Sequence, residues 1–160
     1  MSEPELSLSF FLPPKRHVPL GDVVAAFHET PEAFEAPEEQ GGALRISFGE
    51  FETDAGDILI YGVPAICHGA LIDMAAGGAF EYFSNSGEGS VTLTRVGDEI
   101  ELGGRYRAPM RFPAGPLARA LFALGAEFRQ VAARIWPDET ELLDGLAEVE
   151  ETARSVVDTF

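Results

Sequence analysis

The stretch SVTLTRVGDEIEL, residues 90–102, decides the fold class of this chain. Two runs rich in β-branched and aliphatic residues flank Gly97-Asp98, a glycine-first dipeptide suited to a two-residue type II′ turn. Counting outward from this turn pairs Val96 with Glu99 and predicts a β-hairpin. The apolar residues that share one face of the hairpin are Val91, Leu93, Ile100 and Leu102.

The segment after the hairpin alternates between apolar and other side chains over residues 106–112, which predicts another strand. Pro109 has no backbone N–H to donate, so this strand is expected at a sheet edge or with a bend. Pro116 then suits the first turn of a long helix that ends before Pro137. The apolar stripe of this helix consists of Leu117, Leu121, Leu124, Phe128, Val131 and Ile135.

A second C-terminal helix is predicted after Asp138, a candidate N-cap. Trp136, between the two helices, can close a core or anchor a partner. The apolar face of the second helix consists of Leu142, Leu146, Val149, Ala153 and Val156.

The N-terminal half predicts shorter elements. A strand over residues 6–12 stops at two prolines, a short helix through Val23 and Phe27 cannot pass Pro31, and residues 29–42 form an acidic surface loop.

A second hairpin is predicted in the middle of the chain. Residues 44–48 alternate as a strand, residues 54–57 (DAGD) have the composition of a turn, and residues 58–61 are expected to return as the partner strand. A short helix over residues 67–76 and a strand around Phe80 then follow.

These elements predict a single α+β domain over residues 1–160, with no internal repeat. The sheet is expected to be antiparallel, with about five to seven strands and with the two C-terminal helices packed on it.

The formal net charge of −16 comes from 27 acidic and 11 basic residues. This field repels nucleic acid, so nucleic-acid binding is not expected. Two explanations stay open: the charge keeps the protein soluble, or it speeds encounter with a basic protein partner. The acids that we assign to a candidate partner-binding surface are Glu50, Asp54 and Asp57.

Basic residues gather in one region, since seven of the eleven lie between Arg95 and Arg134. Three of them share one face of the predicted strand and are also candidate partner-binding residues: Arg105, Arg107 and Arg111. Their guanidinium forks can bind an anion or carboxylate. Alternatively, they pair with the protein's own acids on an outer strand face.

Cys67-His68 has the residue types for nucleophilic catalysis, because a thiol needs a base to become a thiolate. A buried Cys beside a capping or solvent-facing His is the competing interpretation. The sequence has no His-x-x-x-His, Cys-x-x-Cys, calcium-loop or glycine-rich phosphate motif. We therefore predict no catalytic residue, no metal site and no cofactor.

Three features predict a cytoplasmic protein without a membrane span. The acidic start at Met1 lacks the basic region of a secretory signal, no stretch has the roughly 20 apolar residues of a span, and Cys67 is the only cysteine. The abundance of Arg over Lys suggests a GC-rich bacterial genome.

The order of the hairpin SVTLTRVGDEIEL, the strand RYRAPMRFP and the helix LARALFALGAEFRQVAARIWP resembles that of small acidic bacterial proteins of the toxin-immunity type. The resemblance implies a protein that neutralises a toxin by binding it. We therefore predict a non-catalytic binding protein, an immunity-like inhibitor of a basic protein partner. The alternatives are a small-molecule binding or enzymatic domain, with a pocket near Cys67, His68 and residues 105–111, and a homo-oligomeric accessory protein.

Overall fold

A computed structural model describes residues 4–48, 51–83, 91–104 and 107–160. In this part of the chain, eight strands form two four-stranded antiparallel sheets. The α+β class, with two C-terminal helices packed on antiparallel sheet, is confirmed. The strands divide over two sheets, whereas the sequence predicted one.

Sheet A has the strand order β2-β1-β3-β4. Its strands are β1 (Glu5–Leu12), β2 (Arg16–Pro19), β3 (Gly41–Phe48) and β4 (Phe51–Ile58). Between β2 and β3, a 3₁₀ turn (Leu20–Asp22) leads into helix α1 (Val23–Glu29). This helix ends before Pro31 as predicted, because proline lacks the N–H that would continue the helix.

The predicted turn at residues 54–57 is wrong. Strand β3 pairs with β4 from Phe48 opposite Phe51 to Gly41 opposite Ile58, so the DAGD segment lies inside β4. Turn composition at residues 54–57 is therefore overridden by the ladder of hydrogen bonds to β3.

The predicted partner strand over residues 58–61 is helical beyond Ile58. Helix α2 (Leu59–Pro64), a π-helical turn (Ala65–Gly69) and helix α3 (Ala70–Ala75) form one continuous helical segment. Leu59, Val63 and Ile66 recur at helical spacing and are all buried, which explains why a β-rich sequence folds as a helix here.

Sheet B places its strands in sequence order: β5 (Ala79–Tyr82), β6 (Val91–Val96), β7 (Glu99–Gly104) and β8 (Arg107–Pro113). The predicted hairpin is confirmed, with Val96 opposite Glu99 and Gly97 at a positive φ of 62°. Its four predicted core residues are buried. Strand β8 lies at the sheet edge, and its ladder shifts register between Leu102 and Gly104, as Pro109 led us to expect.

The C-terminal helices are α4 (Ala114–Ile135) and α5 (Thr140–Val157). All six residues of the predicted α4 stripe are buried. Helix α4 contacts β1 of sheet A and both β7 and β8 of sheet B, so one helix links the two sheets. Helix α5 packs on α4, α3 and the π-helical turn. Trp136 is buried and stacks on Phe10 at 6.1 Å between ring centroids, so it closes the core between α4 and sheet A.

Buried Gln40 fixes the acidic loop between α1 and β3. Its Nε2 donates to the carbonyl oxygens of Phe11 and Gly41, each at 2.9 Å, and its Oε1 accepts from the backbone N–H of Glu35 at 3.0 Å. The ring of Phe34 in the same loop contacts Phe10 at 6.2 Å between centroids. The loop is therefore attached to β1 by both hydrogen bonds and packing.

Candidate functional site

Two of the predicted partner-binding acids, Asp54 and Asp57, lie in strand β4 and not in the predicted turn. Glu50 lies outside the described residues, and the side chains of Asp54 and Asp57 do too. Their backbone positions in β4 are opposite Arg45 and Gly42.

The predicted arginine face is described only at Arg111, because Arg105 and the side chain of Arg107 lie outside the described part. Arg111 is half exposed on β8, and its Nε donates to Glu101 Oε2 at 3.3 Å. Its Nη1 lies 3.9 Å from Glu99 Oε1. Both acids come from the neighbouring strand β7. Arg111 therefore pairs with the protein's own acids, the second of the two interpretations.

Cys67 is completely buried in the π-helical turn. Burial raises the pKa of its thiol to about 12, because the charged thiolate would lose its hydration. A thiolate nucleophile is therefore strongly disfavoured at this position.

His68 belongs to the continuous helical segment over residues 59–75, which we call the central helical segment. Its side chain is buried against α4. Its Nε2 donates to the carbonyl oxygen of Phe122 at 3.1 Å, since a carbonyl oxygen can only accept. A Cβ at Gly125 would overlap the His68 ring, so glycine at this position allows the close approach. Burial lowers the pKa of His68, and the hydrogen bond to Phe122 and the charge of Glu150 oppose that effect.

Glu150 is the buried acid of helix α5. Its Oε1 accepts from Arg129 Nε of α4 at 2.9 Å, and its Oε2 accepts from Arg154 Nη2 at 3.2 Å. The Arg154 guanidinium also lies 5.6 Å from the ring centroid of Phe122, the residue whose carbonyl oxygen accepts a hydrogen bond from His68. We call the group of His68, Arg129, Glu150 and Arg154 the buried polar cluster. It joins α4 and α5 to the central helical segment.

Glu150 was not among the residues predicted from the sequence. The signal was present, because Leu146, Glu150, Ala153 and Val157 recur at spacings of four and three and form the buried face of α5. An acid within such a series needs a buried cationic partner.

The opposite side of α5 carries exposed acids. Four of them, together with Asp158 directly after the last residue of α5, recur at helical spacing and form what we call the α5 acidic row: Glu141, Asp144, Glu148, Glu151 and Asp158. At about 100° per residue, the five positions fall within an arc of about 100°. Within the described residues, none of these carboxylates has an ion-pair partner.

Two cavities are described. The larger, about 430 Å³, crosses the outer face of sheet A and is lined by Ser7, Leu8, Ser9, His17, Pro19, Ala43 and Arg45; we call it the sheet A groove. The smaller is an apolar crevice beside α2, lined by Leu44, Ile58, Leu59, Gly62, Val63, Ile66 and Tyr82. Neither is lined by Cys67, His68 or Arg111, the residues around which a pocket was predicted.

Comparison with known proteins gives no relative from which a function can be transferred. No family model, curated protein or solved structure matches this chain. Over the described ranges, no group of three or more His, Cys, Asp or Glu side chains is placed to hold a metal ion. No helix of that part is both long and apolar enough to cross a membrane.

Proposed function

We propose that this protein is a non-catalytic binding protein that docks a basic protein partner along the α5 acidic row. The observation that carries the proposal is that these five exposed acids lie on one side of a helix without neutralising partners in the described structure. Glu99 and Glu101 on sheet B, in contrast, both have Arg111 as an ion-pair partner. Unpaired carboxylates remain available to the cations of another molecule.

The row has a rigid base, which favours recognition over a purely solubilising role. Leu146, Ala153 and Val157 bury the inner side of α5, and Glu150 connects it to Arg129 of α4. A surface that is ordered before binding loses less conformational entropy on association. The helix therefore holds its outer acids at fixed spacings.

The dimensions of the row define the partner's chemistry. From Glu141 to Asp158 it extends about 26 Å at 1.5 Å per residue. A matching partner would present Lys or Arg side chains along a similar length. The resemblance to immunity-type proteins makes a basic toxin domain the partner class that we favour, with inhibition by occlusion. Charge complementarity of this kind acts mainly on the association rate.

The test compares three triple charge reversals with the same change in net charge. The first changes Glu141, Glu148 and Glu151 to Lys, and the second changes Glu50, Asp54 and Asp57 to Lys. A control set changes to Lys three exposed acids at and after the end of α1: Glu29, Glu32 and Glu38. Proteins captured from a lysate by each immobilised variant are quantified, and association rates with the captured partner are measured at low and high salt.

We expect the α5 reversal to slow association at least about tenfold, and the control set to have a much smaller effect. Loss confined to the β4 reversal would move the site to the acids first predicted from sequence. Equal behaviour of all variants, or no salt dependence, would refute the binding proposal and leave solubility as the explanation of the charge.

A further inference from the structure

The sheet A groove is independent of the α5 acidic row and has different chemistry. Its volume of about 430 Å³ lies within the range of small-molecule pockets, about 300 to 1,000 Å³. Small residues occupy its centre, where Ser9 of β1 is paired with Pro19 of β2 on one side and Ala43 of β3 on the other. Short side chains between longer ones create the depression.

Among the described residues, the two ionisable side chains that line the groove, His17 and Arg45, are at diagonally opposite positions. His17 is opposite Phe11 in the β1–β2 ladder, and Arg45 is opposite Ser7 in the β1–β3 ladder. Their partners in β1 are four residues apart, which separates His17 and Arg45 by about 13 Å along the strand direction. They lie on the two strands that flank β1, which separates them by about 10 Å across the sheet. Side chains that reach inward from both ends leave space for a short molecule between them.

Both ionisable residues, His17 and Arg45, can donate hydrogen bonds to oxyanions. The His17 ring contacts the ring of Phe11 at 5.2 Å between centroids, which restricts the orientation of its N–H groups. Arg45 is opposite Asp54 in the β3–β4 ladder, and the five N–H donors of a guanidinium can serve an internal acceptor and a ligand together. Lys15 and Arg16 adjoin His17 and add positive charge at that end.

We propose that the sheet A groove binds a small organic dianion, with a carboxylate or similar oxyanion at each end and a short apolar body between them. One oxyanion is bound by Arg45 and the other by His17 at the Lys15 end. The apolar body lies over Ala43 and Pro19, and the hydroxyls of Ser7 and Ser9 offer further donors. This proposal does not depend on the proposed partner-binding function.

Titration with adipate, a six-carbon dicarboxylate, tests the proposal by two-dimensional ¹H–¹⁵N NMR. We expect saturable shifts at the amides of Ser7, Ser9, His17, Ala43 and Arg45. Hexanoate, with one carboxylate, should bind about tenfold more weakly, and hexane-1,6-diol should give no saturable shifts. Shifts without saturation, or spread over the whole surface, would overturn the site; hexanoate binding as tightly as adipate would overturn its preference for dianions.

Matched variants distinguish adipate binding in the groove from a general effect of the protein's net charge. Arg45→Gln and His17→Gln should each weaken adipate binding about tenfold. Arg134→Gln, an exposed arginine on α4, makes the same charge change as Arg45→Gln and should leave binding unchanged. Equal weakening by Arg134→Gln would refute the site. If Arg45→Gln alters the spectrum of the free protein, Arg45→Lys tests the same point, because it keeps the charge and loses the planar fork.

Discussion

Two ion-pair clusters in this protein have the same chemistry and opposite surroundings. In the buried polar cluster, the Glu150 side chain is 5% exposed and accepts from Arg129 and Arg154 at 2.9 and 3.2 Å. On sheet B, the Arg111 side chain is 52% exposed and pairs with Glu101 at 3.3 Å and Glu99 at 3.9 Å. The sheet B cluster consists of two ion pairs between β8 and β7. The buried polar cluster contains one ion pair between α4 and α5 and one within α5.

The difference shows that burial decides what a charge pair does for the fold. Water solvates Arg111 whether or not its acids are present, so those pairs contribute little. Glu150 is almost completely removed from water, and its hydrogen bonds to Arg129 and Arg154 replace that hydration. The buried cluster therefore specifies how α5 packs on α4, whereas the exposed pairs on sheet B have little influence on the fold.

The largest expected effect is that of Arg129→Gln, which removes one of the two cations bound to buried Glu150. We expect the free energy of unfolding to fall by about 3 kcal/mol, at the low end for breaking a buried pair, because Arg154 remains. Urea denaturation followed by circular dichroism measures the change. Arg134→Gln on the same helix is the control and should stay within about 0.5 kcal/mol of the wild type. A loss below about 1 kcal/mol for Arg129→Gln would show that Glu150 is effectively solvated.

An intermediate effect is expected from pH through His68. Burial lowers the pKa of His68 from its ordinary 6.5, so the unfolded chain binds a proton that the folded protein does not. The contribution of His68 to stability is therefore complete above pH 6.5 and is lost as the pH falls from there through the folded-state pKa. The slope for one proton is at most about 1.4 kcal/mol per pH unit.

Comparison with His68→Gln isolates this contribution, because the Gln amide can still donate to Phe122 and does not titrate. Denaturation curves at several pH values between 7 and 5 should show a steeper loss for the wild type than for the variant. Parallel curves would mean that His68 protonates equally well in the folded protein, and the cluster would then resemble the exposed one.

The smallest effect is expected from Arg111→Gln. Exposed pairs contribute about 0 to 1 kcal/mol, so the free energy of unfolding should change by less than about 1 kcal/mol. Added salt should reduce even this difference, since it screens exposed charges. A loss as large as that of Arg129→Gln would remove the distinction between the clusters.

The accuracy of the sequence predictions also differs between regions. The hairpin of β6 and β7 was predicted with its register, because Gly97 takes a positive φ and the apolar period of two begins directly at the turn. The same reasoning failed at residues 54–57, where Asp and Gly favour a turn, yet pairing with β3 holds them in a strand. Local turn chemistry predicts a structure reliably only where the flanking pattern supports it.

The candidate sites show a similar division. The outer acids of α5 follow from composition and helical spacing, and so did the buried stripe of α4. Glu150 was missed because its cationic partner Arg129 lies 21 residues away on another helix. The sheet A groove was missed because His17, Ser9 and Arg45 come from three strands that are neighbours only in the folded sheet.

The sequence by itself therefore determined the α+β class, the long C-terminal helices, the β6–β7 register and the acidic charge. These depend on short-range periods, turn residues and composition, which are properties of the chain alone. Tertiary structure decided the division into two sheets, the helical fate of residues 59–64, and which charges are buried. Those outcomes depend on contacts between residues distant in sequence, because desolvation of a group is set by everything packed around it.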